Sequence, residues 1–286
     1  MVIFIKYEFW FNFLNQLKIN HIKTVFISVI FRENQMFFRW WGKWFLNRLK
    51  GVSKFFVQNN QSKDILTNNG ITSVQVTGDT RFDAVFETQK LSKKNESIEA
   101  FIKNKKCVVF GSTWNKDHDL IIQFINNYTN NDVKFIIAPH EINRSEINRL
   151  KALINLNVVN YLDNKSDGDV MIIDTIGILK HIYQYGIGSY IGGGFGDGIH
   201  NTLEVAVQNQ FVFFGPKFNK FQEAKDLLDN GIALSVSNQL EFDIVLNKLI
   251  KKNDFRNEVV EKSQKYILSN IGASDKIMNY INLNIK

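Results

Sequence analysis

The feature that most constrains the fold is an alternation of short apolar runs with amphipathic stretches, which begins near Lys106. β-Branched runs at this spacing predict buried parallel strands, and the stretches between them predict helices that cover the sheet. The predicted strands are Cys107–Phe110, Lys134–Ala138, Val170–Ile173, Ser189–Ile191, Phe211–Phe214 and Ile232–Val236. The predicted helices between them are His118–Tyr128, Ile176–Tyr185, Asn201–Gln208 and Phe221–Asn230. The pattern therefore indicates an α/β chain with a Rossmann-like lobe.

The first 85 residues contain further strand candidates, but too few for a complete lobe. These candidates are Val2–Ile5, Thr24–Ser28, Phe55–Val57 and Ser73–Val76. A doubly wound lobe normally has about five or six parallel strands, so we expect the chain to begin inside a lobe. We divide it into a partial lobe at 1–85, a linker at 86–103, a second lobe at 104–265 and a C-terminal helix at 266–286. We expect that last helix to pack back on the first lobe.

Basic and aromatic residues are concentrated at the N-terminal end. Of the formal net charge of +7, residues 1–50 contribute +6, from eight Lys or Arg against two Glu, and they hold fourteen of the 38 aromatic residues. Such a mixture suits an anionic membrane surface or nucleic acid, and a solvated face over an aromatic core is the alternative. No nucleic-acid binding motif accompanies the charge, so we expect no nucleic-acid partner.

The segment Gln35–Lys50 predicts a basic amphipathic helix. At about 100° per residue one broad apolar arc forms. The residues on this arc are Phe37, Phe38, Trp41, Trp44, Phe45 and Leu49. The cations on the other side are Arg39, Lys43 and Lys50. A helix of this kind lies at a lipid surface or packs on a sheet with its cations in water, and the two are compatible.

The residues that follow each predicted strand carry the candidate chemistry, because ligands bind beyond the carboxyl ends of parallel strands. Ser112 and Thr113 follow the first strand of the second lobe and suit a phosphate at a helix N-terminus, or simply an N-cap. After the second strand, Pro139 fixes the backbone while His140 and Arg144 face an anionic ligand. The single cysteine, Cys107, lies in an apolar run, so we expect a buried hydrophobe and no cysteine metal site.

The next two strand ends are richer in such residues. Asp174 ends a strand, and the backbone of Ile176, Gly177 and Ile178 suits a base or a phosphate. The glycine-rich turn that follows, which includes Gly193, Gly194 and Phe195, leaves its backbone bare for a ligand. The element Asn201-Thr202-Leu203-Glu204 comes next at helical spacing, and a carboxylate at Glu204 suits two ribose hydroxyls. Together these strand ends predict one nucleotide cleft.

These motifs resemble those of the bacterial lipid A Kdo (3-deoxy-D-manno-octulosonic acid) transferases. The matching segments are Tyr7–Trp10, Val57-Gln58, Val76–Asp83, Gly111–Thr113, Pro139–Glu141, Asp174–Gly177, Gly192–Phe195, His200–Glu204 and Phe214–Pro216. The resemblance implies a glycosyltransferase-B fold of two Rossmann-like lobes and a metal-independent, cofactor-free transfer of Kdo from CMP-Kdo to a lipid A precursor. It also implies a peripheral enzyme on the cytoplasmic face of the bacterial inner membrane.

The resemblance also assigns residues. It places CMP on Pro139-His140, on Ile176–Ile178 and on the segment from Asn201 to Glu204. His140 stands where the family has Arg, and Ile178 stands where it has an acid. The family's general base lies in a segment before the start of this chain, so we expect the chain alone to be inactive or nearly so. Glu8 matches a later acidic position on the acceptor side.

Two alternatives remain open. One is a two-lobed transferase or epimerase that uses UDP-sugars, since such enzymes share the glycine-rich turn and the ribose-binding Glu. The other is a nucleotide-binding remnant without turnover, which acts as a regulatory or scaffold module.

Overall fold

The computed structural model describes residues 1–284 of the chain, and Ile285 and Lys286, the end of the predicted C-terminal segment, lie outside the described residues. The chain divides into two compact units. The first unit comprises Met1–Phe86 together with the residues from Ser269 onward, and the second unit comprises Glu87–Leu268. Each unit is built on its own parallel sheet.

The strands are β1 (Val2–Ile5), β2 (Thr24–Val29), β3 (Lys54–Val57), β4 (Val74–Val76), β5 (Lys106–Thr113), β6 (Val133–Pro139), β7 (Val158–Asn160), β8 (Val170–Ile172), β9 (Gly188–Ile191), β10 (Phe211–Phe214) and β11 (Ala233–Ser235). The helices are α1 (Phe11–Ile19), α2 (Lys43–Leu49), α3 (Asn60–Asn68), α4 (Thr80–Lys90), α5 (Glu96–Ile102), α6 (Asn115–Asn127), α7 (Arg144–Leu153), α8 (Leu179–Ile182), α9 (Leu203–Ala206), α10 (Gln222–Asp229), α11 (Gln239–Lys251), α12 (Asn253–Asn270) and α13 (Ala273–Asn284).

The first unit has a four-stranded sheet in the order β1-β2-β3-β4. One face is covered by an aromatic cluster in which Phe26 stacks between Phe4 and Phe9 and meets Phe55. Phe26 and Phe55 are fully buried. Aromatic rings bury more apolar area than any other side chain, so a small sheet gains a stable core from this cluster.

The opposite face of the same sheet is covered by α13. Ile277 and Ile281 pack against Val25 and Phe56, which point away from the aromatic cluster because strand side chains alternate between faces. The carboxylate of Asp83 accepts hydrogen bonds from the backbone N–H groups of Gly272, at 2.5 Å, and Ser274, at 2.7 Å, at the start of α13. A carboxylate at a helix N-terminus satisfies donors that have no partner within the helix.

The prediction of one continuous helix over Gln35–Lys50 is wrong. The segment forms two short 3-10 turns, at Met36–Phe38 and Trp40–Gly42, before the single short helix α2. The two turns bring Gly42 so close to Met36 that only glycine fits there, since a Cβ at Gly42 would lie 1.9 Å from the carbonyl oxygen of Met36. Among the described residues, no helix is long and apolar enough to cross a membrane.

The predicted apolar arc of that segment is consequently divided. Phe37 and Leu49 are buried in the core of the first unit. Trp41 and Trp44 are about half exposed, and Trp40, which lay off the arc, is 83% exposed. The surface of the segment therefore carries indole rings beside the exposed cations Arg39 and Lys43.

The second unit has a seven-stranded sheet in the order β11-β10-β9-β5-β6-β8-β7, and all its pairs are parallel. The six predicted strands of this unit are confirmed, with ends that differ by a few residues, and the short edge strand β7 was not predicted. Strand order reverses at β5, because the chain runs outward through β6 and returns to the other side at β9. This reversal is a topological switch point, where parallel sheets leave a crevice for a ligand.

The predicted linker at 86–103 is mostly helical. Residues 86–90 complete α4, and α5 covers Glu96–Ile102. The side chain of Asn95 caps α5 by accepting the N–H of Ile98, and Ile98 and Phe101 are fully buried. Burial of these apolar side chains outweighs the high content of Lys, Ser and Asn that suggested a linker.

Candidate functional site

A pocket of about 410 Å³ opens at the switch point of the second unit. Its lining comes from the carboxyl ends of β5, β6 and β9 and from the starts of α6 and α7. The lining residues are Thr113, Trp114, Asn115, Lys116, His118, Pro139, Glu141, Glu146, Gly193, Gly196, Asp197, Gly198 and His200. Of the residues predicted from sequence, Thr113, Pro139 and Gly193 line this pocket, and the exposed His140 lies beside it, stacked on Trp114.

The buried carboxylate of Asp117 holds the pocket together. It accepts hydrogen bonds from the backbone N–H of Trp114 at 2.8 Å, from the hydroxyl of Tyr190 at 2.6 Å and from the backbone N–H of Gly193 at 2.9 Å. These donors belong to the end of β5, to β9 and to the glycine-rich turn. One side chain therefore fixes three segments of the wall, and hydrogen bonds to a charged acceptor are the strong ones.

The glycine-rich turn is explained in large part by close packing of the backbone. A Cβ at Gly192 would lie 2.2 Å from the carbonyl oxygen of Ser112, and a Cβ at Gly194 would lie 2.6 Å from the backbone of Gly215. Gly193 has a φ of +92°, a conformation that side chains disfavour. The N–H of Gly193 donates to Asp117, so this group serves the wall of the pocket and not a ligand. The interpretation of a bare backbone for ligand approach therefore applies to only part of the turn.

Gly111 and Ser112 at the end of β5 also have structural roles. A Cβ at Gly111 would meet the hydroxyl of the buried Tyr183 at 1.9 Å. Ser112 has a φ of +52° within the irregular end of β5, where the register to β6 shifts. This irregular end turns Thr113 toward the pocket.

Three rings form a compact stack at the mouth of the pocket. The indole N–H of Trp114 donates to Nε2 of His200 at 2.9 Å, and their planes differ by 8°. His140 lies over both rings, with centroid distances of 4.2 Å to Trp114 and 4.6 Å to His200. Burial, and then the neighbouring His140, lower the pKa of His200, which favours the neutral ring that can accept the indole N–H.

A chain of polar contacts forms the other wall. Nε2 of the buried His118 lies 2.8 Å from the hydroxyl of Thr113, and Nδ1 lies 3.0 Å from Oε1 of Glu146. Arg149 donates to Glu146 at 2.7 Å, and this bond lowers the pKa of the Glu146 carboxyl. Burial lowers the pKa of His118 despite the nearby Glu146. The predicted cation Arg144 is instead exposed at the start of α7, outside the pocket lining.

The predicted residues after β8 lie outside the pocket lining. Asp174 accepts the backbone N–H of Leu162 at 3.0 Å, so its carboxylate holds a neighbouring loop. Ile176 is 86% exposed, and Ile178 is partly exposed. Gly177 has a φ of +93°, and no atom of a described residue other than its two chain neighbours lies within 4 Å of the position that a Cβ would take there. This turn therefore presents an accessible backbone at the carboxyl edge of the sheet.

The element Asn201–Glu204 also lies outside the pocket lining. Asn201 accepts the N–H of Leu203 and donates to Glu204 at 3.0 Å. Burial raises the pKa of Glu204, while Asn201 and the positive charge of Lys180 act in the opposite direction. Leu203 is fully buried and belongs to the core. Thr202 is also buried, and its hydroxyl has no hydrogen-bond partner among the described residues.

Sequence reasoning missed the residues that organise the pocket, namely Asp117, His118, Glu146 and Arg149. A signal for Asp117 exists, because an acid three residues after a helix N-cap is typical of a capping box. Here the Asp117 carboxylate accepts the N–H of the N-cap residue Trp114. The contacts of His118 join α6 to α7 and have no local sequence signal.

A family model described as 3-deoxy-D-manno-octulosonic-acid transferase (kdotransferase) matches residues 1–84. A curated 3-deoxy-D-manno-octulosonic acid transferase from Rickettsia typhi is 29% identical over 266 residues, which are 88% of this chain and 56% of that protein. The resemblance to the Kdo transferases is confirmed. The chain spans little more than half the length of this relative.

Two solved structures have a similar fold. The C-terminal CMP-Kdo binding domain of WaaA from Acinetobacter baumannii is 23% identical with a TM-score of 0.53, and the match covers 65% of this chain and 98% of that one. The UDP-GlcNAc 2-epimerase from Neisseria meningitidis, bound to UDP-GlcNAc, is 16% identical with a TM-score of 0.66, and the match covers 96% of this chain and 73% of that one. The predicted glycosyltransferase-B fold with Rossmann-like lobes is confirmed.

Replacement of Asp117 by Asn should destabilise the second unit. The amide keeps the shape but loses the charge and one acceptor, so at least one of three buried donors loses its partner. The expected loss is about 2 to 4 kcal/mol of unfolding free energy, measured by urea denaturation. Asp119→Asn, at an exposed position on the same helix, should change it by less than about 0.5 kcal/mol. Equal stability of the two variants would contradict the role of Asp117.

The pKa of His118 predicts a pH dependence of stability. Because burial lowers this pKa below its ordinary value of 6.5, the unfolded chain binds the proton first as the pH falls. The neutral His118 ring makes its full contribution to the unfolding free energy above about pH 6.5. Below that pH the contribution decreases, in total by about 1.4 kcal/mol for each unit by which the pKa of the folded state lies below that of the unfolded state. Urea denaturation between pH 7.5 and 5 should show a smaller loss in His118→Gln than in the unsubstituted protein. Parallel profiles would contradict this prediction.

Proposed function

We propose that this chain, a relative of the bacterial Kdo transferases, contains the donor site of an enzyme that moves Kdo from CMP-Kdo to a lipid A precursor in lipopolysaccharide synthesis. The observation that carries the proposal is the pocket at the switch point of a parallel sheet. A nucleotide sugar is the ligand that such a position suits. The named activity of the Rickettsia relative and the named ligand of the Acinetobacter domain support the choice of donor.

The proposed CMP site uses the carboxyl edge of the second sheet. Pro139 and Gly193 line the pocket, while Gly177, Asn201 and Glu204 belong to neighbouring strand ends on the same edge. We assign the ribose hydroxyls to the Glu204 carboxylate, which Asn201 already orients by a hydrogen bond. A carboxylate can accept from both hydroxyls at once, which makes it suitable for a ribose.

The chemistry assigned to this unit is stabilisation of the leaving CMP. Lys116 lies in the first turn of α6 and lines the pocket, so its ammonium group and the positive end of the helix dipole both favour a phosphate there. We propose a transfer without a metal or a cofactor. Glu8, exposed after β1, is proposed as an acid on the acceptor side.

We further propose that the first unit binds the cytoplasmic surface of the inner membrane, where a lipid acceptor is anchored. Trp40, Trp41 and Trp44 are at least half exposed in one short segment, next to the exposed cations Arg39 and Lys43. Indole rings partition to the interface of a bilayer, and cations are attracted to its anionic lipids.

A UDP-sugar enzyme is the second candidate. It is favoured by the fold likeness to an epimerase bound to UDP-GlcNAc, which covers nearly the whole chain. The two candidates differ in the nucleotide that binds. Cytosine and uracil differ at one exocyclic group, an amine or a carbonyl, so direct comparison of CMP with UMP and UDP separates them.

Calorimetric titration should show that CMP binds more tightly than UMP or UDP. Glu204→Ala should weaken the binding free energy of CMP by about 1.5 to 3 kcal/mol, since the variant loses charged hydrogen bonds to the ribose. Glu261→Ala, an exposed acid on α12, is the matched control and should leave the affinity unchanged. Tighter binding of UDP would favour the second candidate, and unchanged CMP affinity in Glu204→Ala would remove the ribose assignment.

Sedimentation with lipid vesicles tests the membrane proposal. The double variant Arg39→Gln/Lys43→Gln should bind anionic vesicles at least about tenfold more weakly, because each cation contributes about 1 kcal/mol near an anionic leaflet. Lys251→Gln/Lys252→Gln removes the same charge from an exposed site of the second unit and should bind normally. Equal loss in both double variants would indicate a dependence on net charge only.

A further inference from the structure

We propose that Trp114 and His200 form a flat platform on which the base of a nucleotide stacks. This inference rests on the proposed nucleotide donor site and adds the side chains that hold the base. The two residues come from the start of α6 and from the loop after β9, on either side of the switch point. A planar heterocycle is the class of ligand that such a surface suits.

The two rings form one layer. The indole and imidazole planes differ by only 8°, and the centroids are 6.2 Å apart because the rings lie side by side. The bond from the indole N–H to Nε2 of His200, 2.9 Å long, joins them edge to edge. The arrangement has the shape of a hydrogen-bonded base pair, with a face larger than that of either ring.

The layer is held in position by contacts with its neighbours. The imidazole of His140 covers one face, tilted by 23° from the indole and by 24° from the ring of His200. The backbone N–H of Trp114 is fixed by the Asp117 carboxylate. An aromatic surface that is fixed before binding loses little conformational entropy when a ligand stacks on it.

Both residues of the layer border the pocket. Trp114 and His200 are among the lining residues and His140 is not, while Trp114 remains 37% exposed. The polar groups of the pocket that suit the rest of a nucleotide, Lys116 and Thr113, belong to the same lining. A base on the platform would therefore leave the phosphate of the nucleotide near those groups. Stacking does not read the edge of a base, so the platform supplies affinity and not the choice of pyrimidine.

The first test is ¹⁹F NMR of protein labelled with 5-fluorotryptophan. The other four Trp residues all lie within residues 1–50, in the first unit, so Trp114 reports alone from the second unit. Its resonance is assigned with Trp114→Phe. CMP should shift this resonance and leave the other four in place, whereas ribose 5-phosphate, which lacks a base, should shift it much less. An unmoved Trp114 resonance at saturating CMP would overturn the platform.

The second test is calorimetric titration of CMP and ribose 5-phosphate into folded variants. Trp114→Leu should weaken the affinity for CMP by roughly tenfold or more and leave the affinity for ribose 5-phosphate unchanged. Trp114→Phe keeps a ring, so its affinity for CMP should lie between those of Trp114→Leu and the unsubstituted protein. Trp40→Phe is the matched control, because Trp40 is exposed in the first unit. An equal loss for both ligands would identify Trp114 as a residue that only supports the wall, and so would an unchanged CMP affinity.

The two proposals fail in different ways. If UMP, UDP or AMP shifts the Trp114 resonance and CMP does not bind, the CMP donor is wrong and the platform stands. If CMP binds and Glu204→Ala weakens it while Trp114→Leu does not, the donor site stands and the platform is wrong. If no nucleotide binds, both proposals are wrong.

Discussion

The pocket of the second unit depends on the three hydrogen bonds that the buried carboxylate of Asp117 accepts. A buried charge is costly unless its lone pairs are satisfied, and here two backbone N–H groups and the phenol of Tyr190 satisfy them. The arrangement joins the end of β5 to the glycine-rich turn after β9, the two strand ends that border the switch point. The walls of the pocket are therefore fixed relative to each other without a ligand.

This constraint decides which groups remain available to a ligand. The backbone N–H groups of Gly193 and Trp114 are occupied by Asp117, whereas the rings of Trp114 and His200 line the pocket. Several glycines are needed because the backbones of adjacent loops approach too closely for any side chain. The surface available to a ligand therefore consists of side chains held by a tightly packed backbone. Binding residues commonly lie on loops that a rigid scaffold positions in this way.

Much of the fold can be predicted from the sequence because the patterns that identify its strands are local. Apolar runs such as Phe211–Phe214 identify buried strands, and their order along the chain matches a parallel sheet. The continuous helix predicted over Gln35–Lys50 is wrong because a helical period records spacing only, while the segment forms two 3-10 turns with Gly42 packed closely on Met36. The helix α5 within the predicted linker 86–103 was not predicted, because the composition of that segment hides the buried Ile98 and Phe101.

By itself, the sequence determined the α/β class, all strands of the two sheets except β7, and the resemblance to the Kdo transferases. It also identified Thr113, Pro139 and Gly193, because residues after parallel strands must meet at one edge of the sheet. Only the tertiary structure decided that Asp117 joins this edge, that Trp114 pairs with His200, and that His118 contacts Glu146. These contacts link residues on different elements, and their partners are set by how those elements pack, which no local pattern records.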